Sequence, residues 1–550
     1  MEKISKTGAF GSALVLAGGS ASALLLALTA APGGATTTLT VDSLADGAAQ
    51  AADCTTPVVD SCSLRDALFA AADGDVIVFK SGLAGTITLT ANTLSVTKAL
   101  TLTGAGSAVI TVNADGGAGV FYLADSAGDV TISGLTITGS VGDSAITAQN
   151  DGDLALIEVD VSGNAGKYGG GLYINNTGAS TLTDSNVSNN TSRSGAGGVY
   201  IYSDPTSVTI TNTTIVNNTA GGSGGGIFAD FTGDLTIIDS NISGNTSLGG
   251  VGGLYAGNVG DLSIVNSTMS FNTGVELGGA AFVNNSGSAT ISGSTFSRND
   301  TSDLGGALYF GTDGQEITIS NSTFSGNSSG MEGGAIDFHG GDQIVTINNS
   351  SIVGNTSGAN GGGIWKDKGG SLTINQSTIT ENTGTNGGGI YVDNSGSSSL
   401  VLSGTIVSNN TVTGLGPRAL PAEFYGGTDI SMDWVDGDVL SLDHSLVGII
   451  SDNAESEITD LGGNVRSSTP GLSALADNGG MTQTMALLST SAAVDAGPSP
   501  VATFVGNEFD QRGAGYARVV GARVDIGAFE IQSDPIPTPT PAPVVPTFAG

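Results

Sequence analysis

Only 12% of the residues are Asp, Glu, Lys or Arg, so the few places where ionisable side chains gather are the first candidates for chemistry. One such place is Asp337 and His339, followed a repeat later by Lys366, Asp367 and Lys368. Counted from the glycine pairs that precede them, the two groups fall at corresponding offsets, which predicts contact across adjacent repeats. A lysine beside an acid is able to abstract a proton next to a uronate carboxyl, with His339 serving as the acid. Asp337, His339, Lys366 and Lys368 are therefore the catalytic candidates. Charge pairing on a solvated face is the plainer reading of the same residues. No Ser-His-Asp order, nucleotide loop or haem motif accompanies them.

A second candidate surface is aromatic. After each glycine pair the second strand residue is Tyr173, Tyr200, Phe228, Tyr255, Ala281, Leu308, Ile336, Trp365 and Tyr391. If Leu172, Val199, Ile227 and Leu254 point inward, strand alternation turns this column outward. Tyr173, Tyr200, Phe228, Tyr255, Trp365 and Tyr391 would then offer their apolar faces to sugar rings. The opposite parity buries the same rings as a core ladder.

Both columns exist only because the chain repeats. Asn recurs at Asn190, Asn218, Asn245, Asn272, Asn299, Asn327, Asn355, Asn382 and Asn410, at intervals of 27 or 28 residues. Each interval carries three short apolar runs, such as Gly333-Gly334-Ala335-Ile336, Ile344-Val345-Thr346-Ile347 and Ser351-Ile352-Val353. Their alternation with Ser and Thr marks strands with one buried face, and their connections are too short for crossover helices. Short parallel strands without helices stack as coils, so the predicted fold is all-β: a right-handed parallel β-helix of about a dozen rungs, about 4.8 Å apart, with an N-terminal cap and a C-terminal β-rich cap. The recurring Asn suits a corner that needs φ > 0, and its amide suits a hydrogen-bonded ladder along the rod. The glycine pairs mark a second corner where Cβ atoms would crowd.

The ends have their own signatures. Residues 1–35 run from Lys3 and Lys6 through an apolar stretch to small residues, the order of a secretory signal peptide. No later segment is long and apolar enough for a membrane span. Residues 36–75 form the predicted N-terminal cap, where Cys54 and Cys62, the only cysteines, are read as one disulfide in an exported chain. Residues 76–450 are assigned to the β-helix, 451–531 to a distinct C-terminal unit, and 532–550 to a proline-rich tail. A formal net charge of −35 argues against nucleic acid and anionic lipid as partners. No run matches the calcium-binding nonapeptide of β-rolls or an EF-hand loop, so no metal or cofactor is assigned, and Ca²⁺ has no motif to support it.

Three sets of residues carry family resemblances. Cys62-Ser63-Leu64-Arg65-Asp66-Ala67-Leu68, followed by Gly74-Asp75-Val76-Ile77-Val78-Phe79, resembles the CSLREA-type N-terminal module of bacterial surface proteins, with Asp66 in place of the usual Glu. Phe324-Ser325-Gly326-Asn327 and Gly333-Gly334-Ala335-Ile336 resemble polymorphic outer-membrane protein repeats, and Phe296 to Asn299 matches the first string. Asp477 to Leu488, Ala493 to Gly497, Asp510-Gln511-Arg512-Gly513 and Val524 to Glu530, in that order, resemble the choice-of-anchor Q domain. These resemblances imply a bacterial cell-surface or secreted β-helix protein. An adhesin-like or structural role toward extracellular glycans or cell surfaces is the expected function, and an extracellular polysaccharide lyase or glycoside hydrolase is the alternative.

Overall fold

A computed structural model of the chain describes residues 36–56, 60–203, 205–393, 397–413, 428–433, 438–451 and 458–532. The signal segment, Trp434 and the tail from residue 533 lie outside these residues. The repeat folds as a parallel β-helix with sheets of 16, 13, 15 and 10 strands. One coil consists of Ile336–Phe338, Ile344–Asn348, Ser351–Val353 and Thr356–Ser357, which contribute to the 13-, 16-, 15- and 10-stranded sheets in that order. Each pairs in parallel with its counterpart one coil on. The fourth, two-residue strand has no apolar alternation to reveal it in the sequence, which is why only three runs stand out there.

Alternation decides what enters the core. Ile336, Phe338, Val345, Ile347 and Ile352 are fully buried inside the coil, whereas Thr346 between two of them faces outward and is half-buried. In-register pairing sets like on like, so Phe296 stacks on Phe324 and Phe310 on Phe338 along the interior. Truncating any one of these rings to alanine would cost about 3–5 kcal/mol.

The corners are where backbone geometry selects residue type. Positive φ falls at Asn189, Asn217, Gly244, Phe271, Arg298, Gly326, Gly354, Glu381 and Asn409, each one position before a recurring Asn. The recurring Asn is therefore not the left-handed residue, and its identity comes from hydrogen bonding alone. The side-chain oxygen of Asn355 accepts from both the backbone N and Nδ2 of Asn327 at 2.9 Å, while Asn327 Nδ2 also donates to Phe296 O at 3.0 Å. The same triad of bonds repeats from Asn164 to Asn410. At the last step the acceptor is Asp429, whose Oδ1 takes both donors of Asn410. A carboxylate suits this end because it accepts without presenting an amide that would itself need a further coil.

A second ladder, absent from the sequence reading, runs along the corner between the 16- and 15-stranded sheets. Asp184, Asn212, Asp239, Asn266, Asn321, Asn349 and Gln376 are left-handed there, and each precedes a Ser or Thr. The backbone N of Ser294, for example, donates to Ser322 Oγ, whose own proton goes to Ser320 O. At the glycine corner the packing is backbone on backbone: a Cβ on Gly334 would lie 2.1 Å from Gly362 O.

Both ends differ from their sequence boundaries. Strands begin at Thr38–Val41, inside the region assigned to the cap, and continue through Ile458–Gly462 to Val465–Arg466, past the assigned limit at 450. At the N-terminal end the helix Leu64–Ala70 sets Leu64 and Leu68 over the core. Its capping box uses Asp66 for the reciprocal bond that Glu makes elsewhere, with Asp66 Oδ2 accepting from Ser63 N at 3.0 Å. Arg65 grips Asp46 through Nε and Nη2, and Cys54 and Cys62 are joined by a disulfide.

After Arg466 the described chain has only isolated antiparallel bridges, at Leu472–Leu487, Ala476–Thr484 and Phe509–Ala517. It is not a detached unit, because it folds back along the outer face of the 15-stranded sheet. Gln511 bonds to Thr323 and Ser351, Arg518 to Asn349, and Ala528 N donates to Thr378 Oγ1. Asp510 holds Arg512, whose guanidinium lies 4.0 Å from the Tyr516 ring centre and 3.8 Å from that of Phe529. The boxes that stand out in the sequence between Asp477 and Glu530 thus supply most of the contacts that dock this segment, and Arg518 adds one from between two of them.

Substituting Asn327 by Ala leaves the backbone N–H of Asn299 and one of its two amide hydrogens without an acceptor inside the rod, while the other amide hydrogen keeps Met269 O. Each buried unsatisfied group costs about 1–3 kcal/mol. Urea unfolding should show a clear loss for Asn327→Ala and little change for the outward Thr318→Ala, and equal effects would remove the ladder from its supporting role.

Candidate functional site

The candidate cluster sits at the end of strand Ile336–Phe338 and on its neighbour Ile364–Lys366. The register pairs Asp337 with Trp365 and Phe338 with Lys366. Lys366 is therefore not beside Asp337 on the surface. It occupies an inward position, in line with Phe338 and Val392, and is only 1% exposed. Its Nζ donates to Asp367 O at 2.8 Å and to Gly369 O at 3.0 Å. Burial lowers its pKa to about 8 against the attraction of Asp367, Asp342 and Asp337. Lys368 is exposed on the following turn. The predicted acid–lysine pair does not form as a surface site.

The offset error has a physical origin. In the coils led by Gly224 and Gly361 three glycines precede the strand, whereas in those led by Gly278, Gly305 and Gly333 an alanine, Ala280, Ala307 or Ala335, holds the third place. Counting from the last glycine therefore shifts those coils by one. In the true column Phe282, Tyr309 and Asp337 replace Ala281, Leu308 and Ile336, whose side chains point inward.

With that register the outward column is a nearly continuous stack. Ring centres lie 5.6 Å apart for Tyr173–Tyr200, 4.7 Å for Tyr200–Phe228, 4.6 Å for Phe228–Tyr255, 4.9 Å for Tyr255–Phe282 and 5.4 Å for Phe282–Tyr309. The planes are within 12° of parallel throughout. The rings point outward, yet their faces cover one another and mainly their edges meet solvent. The faces that sugar rings would need are thus already occupied within the series. Burial raises the pKa of Tyr200 to about 12. At the far end Tyr391 donates its hydroxyl proton to Asp433 Oδ2 at 2.6 Å.

Asp337 breaks the column. It is 0% exposed, and neither carboxylate oxygen has a hydrogen-bond partner among the described residues. The ring place it leaves empty is filled by His339, whose imidazole lies 5.3 Å from Tyr309 on one side and 5.3 Å from Trp365 on the other. His339 Nδ1 stands 3.7 Å from Asp337 Oδ1, an ion-pair distance too long for a hydrogen bond. Burial raises the Asp337 carboxyl to about 6, and the Asp337 carboxylate in turn raises His339. Of the two, only His339 reaches solvent. Among the described residues no cluster of three or more His, Cys, Asp or Glu side chains is arranged to hold a metal ion.

These coils define a class. The family model described as "Right handed beta helix region" matches residues 110–324 and 278–417, and the chain belongs to this right-handed β-helix family. Among solved structures it is similar to "Crystal structure of pectate lyase Pel9A", with 13% identity over 91% of this chain and 97% of that one, at a TM-score of 0.31. No curated protein sequence gives a significant match.

The buried lysine offers a direct check. Its folded pKa, about 8, lies below the ordinary 10.5, so the unfolded chain binds the extra proton between these values. The Lys366 contribution to stability is therefore present above pH 10.5 and lost as pH falls toward 8. Lys366→Met should lose that pH dependence, so the difference in unfolding free energy between the two proteins should change between about pH 8 and 10.5. An identical pH profile for both would place the amine in solvent instead.

Proposed function

We propose that this chain is an exported, surface-displayed bacterial β-helix rod with a non-catalytic, adhesin-like or structural role, meeting extracellular glycans or other cells along its polar outer faces. The observation that carries this reading is the position of Lys366. The one place where the sequence offers a base beside an acid has its amine turned into the coil and bonded to two carbonyls. Asp337 is covered as well while His339 fills the place beside it, so neither group meets a polymer lying on the surface in this arrangement. The oxidised Cys54–Cys62 pair supports export, since such bonds persist outside the reducing cytoplasm. The signal-like residues 1–35 and the resemblance of Cys62–Leu68 and Asp477–Glu530 to surface-protein modules point the same way. Among the described residues no helix is long and apolar enough to cross a membrane. Glycan contact in this reading uses ring edges and outward threonines that stack in register, such as Thr318, Thr346 and Thr373, rather than stacked ring faces.

The rival is an extracellular polysaccharide lyase or glycoside hydrolase. Incubating the purified chain with acidic and neutral polysaccharides should give binding without unsaturated or reducing-end products. Products that vanish in His339→Ala, with the fold intact by circular dichroism, would replace the scaffold reading with the enzymatic one.

A further inference from the structure

We propose that the ring-sized slot between Tyr309 and Trp365, now filled by His339, is a binding site for a planar guanidinium group presented by a basic partner protein, with Asp337 as its acceptor. The slot follows from the register. Tyr309, Asp337 and Trp365 are successive members of one outward column, so the two rings face each other across a coil that contributes no ring of its own. Two properties make His339 a displaceable occupant. It lies beyond the strand Ile336–Phe338, in the turn that follows, and its side chain is 43% exposed. Its ring also fits poorly, tilted 30° from Tyr309 and 25° from Trp365, where the remaining stacked pairs of the column lie within 12°.

What the slot lacks defines the ligand. Asp337 is fully buried with both oxygens unpartnered, and His339 approaches without forming a hydrogen bond. A buried carboxylate in this condition calls for donors, preferably charged ones. A guanidinium supplies two parallel N–H bonds in the geometry of a carboxylate, and its flat faces stack on aromatic rings. An ammonium meets the charge but not the stacking, and a neutral ring meets the stacking but leaves the carboxylate bare. The surroundings add attraction: Glu332 and Asp367 act on Asp337, and Asp303 and Asp367 act on Tyr309. Lys368 is the exposed cation nearest in sequence, while Lys366 is directed into the coil. With a net charge of −35 the molecule favours basic partners at long range. The inference concerns a partner's side chain and stands whether or not the rod also cleaves a polysaccharide.

Trp365 and Trp434 are the only tryptophans, so Trp434→Phe leaves Trp365 as a sole fluorescent reporter in the full chain. Titration with a Gly-Gly-Arg-Gly-Gly peptide should change its emission saturably. The lysine peptide should bind at least tenfold more weakly and the citrulline peptide not at all. Asp337→Asn should weaken the arginine peptide at least tenfold, and His339→Ala, which vacates the slot, should strengthen it several-fold. Equal responses to arginine and citrulline overturn the proposal, as does undiminished binding by Asp337→Asn or weakened binding by a folded His339→Ala. Should Asp337→Asn fail to fold, the arginine–citrulline comparison on the otherwise unchanged chain decides alone.

Discussion

Every corner of this molecule must find, one coil further on, an acceptor for the backbone N–H that the turn leaves behind. At one corner the acceptor is an Asn Oδ1, shared by the N and Nδ2 of the Asn before it. At another it is a Ser or Thr hydroxyl, which passes its own proton to a carbonyl two residues back. Neither arrangement tolerates a slip, because moving one coil by a residue would strand buried donors along the whole column. From this follow the near-constant repeat, the columns of like residues, and the need to end the ladder on an acceptor-only residue, Asp429.

The parts of this design that were legible in the sequence are those where geometry permits few residue types. The recurring Asn is one, since no other side chain offers an amide at that reach. Phe and Ile columns such as Phe324 and Ile352 are another, because parity forces them inward. The hydroxyl ladder was not legible, since Ser and Thr are also ordinary outward strand residues here and Ser322 looks no different from Ser320. The left-handed positions before each ladder Asn were misplaced by one for a similar reason. Asn189 and Asn190 are the same residue type, yet one bends the chain and the other bonds along it.

The candidate site failed in the sequence at a single residue. Ala335 stands where Gly363 stands one coil on, both small enough for the corner, and the substitution hides the register. Reading through it turns Lys366 from a surface base into a core amine, and brings Phe282 and Tyr309 into the aromatic column. The docking of the C-terminal segment was beyond reach for a different reason. Thr323 meets Gln483 and Ser351 meets Gln511, each across 160 residues, and no local pattern announces such pairs. The motif boxes there were visible, but their role as contacts with the rod was not.

A solenoid can carry one irregular coil because its stability is a sum of neighbour terms rather than a single cooperative core. Asp337 uses that tolerance. In a column where the flanking coils set ring on ring, it places a carboxyl out of water without a hydrogen bond, and the raised pKa records how unfavourable the ionised form is there. The gap it opens is closed by a side chain borrowed from the turn, at angles the rest of the stack does not show. Packing alone would be better served by a ring at 337, as at Tyr309 and Trp365. An acid without a hydrogen bond, set in the coil between two that carry rings, is thus explained by recognition more readily than by stability, and the regular coils on either side keep that one place in shape.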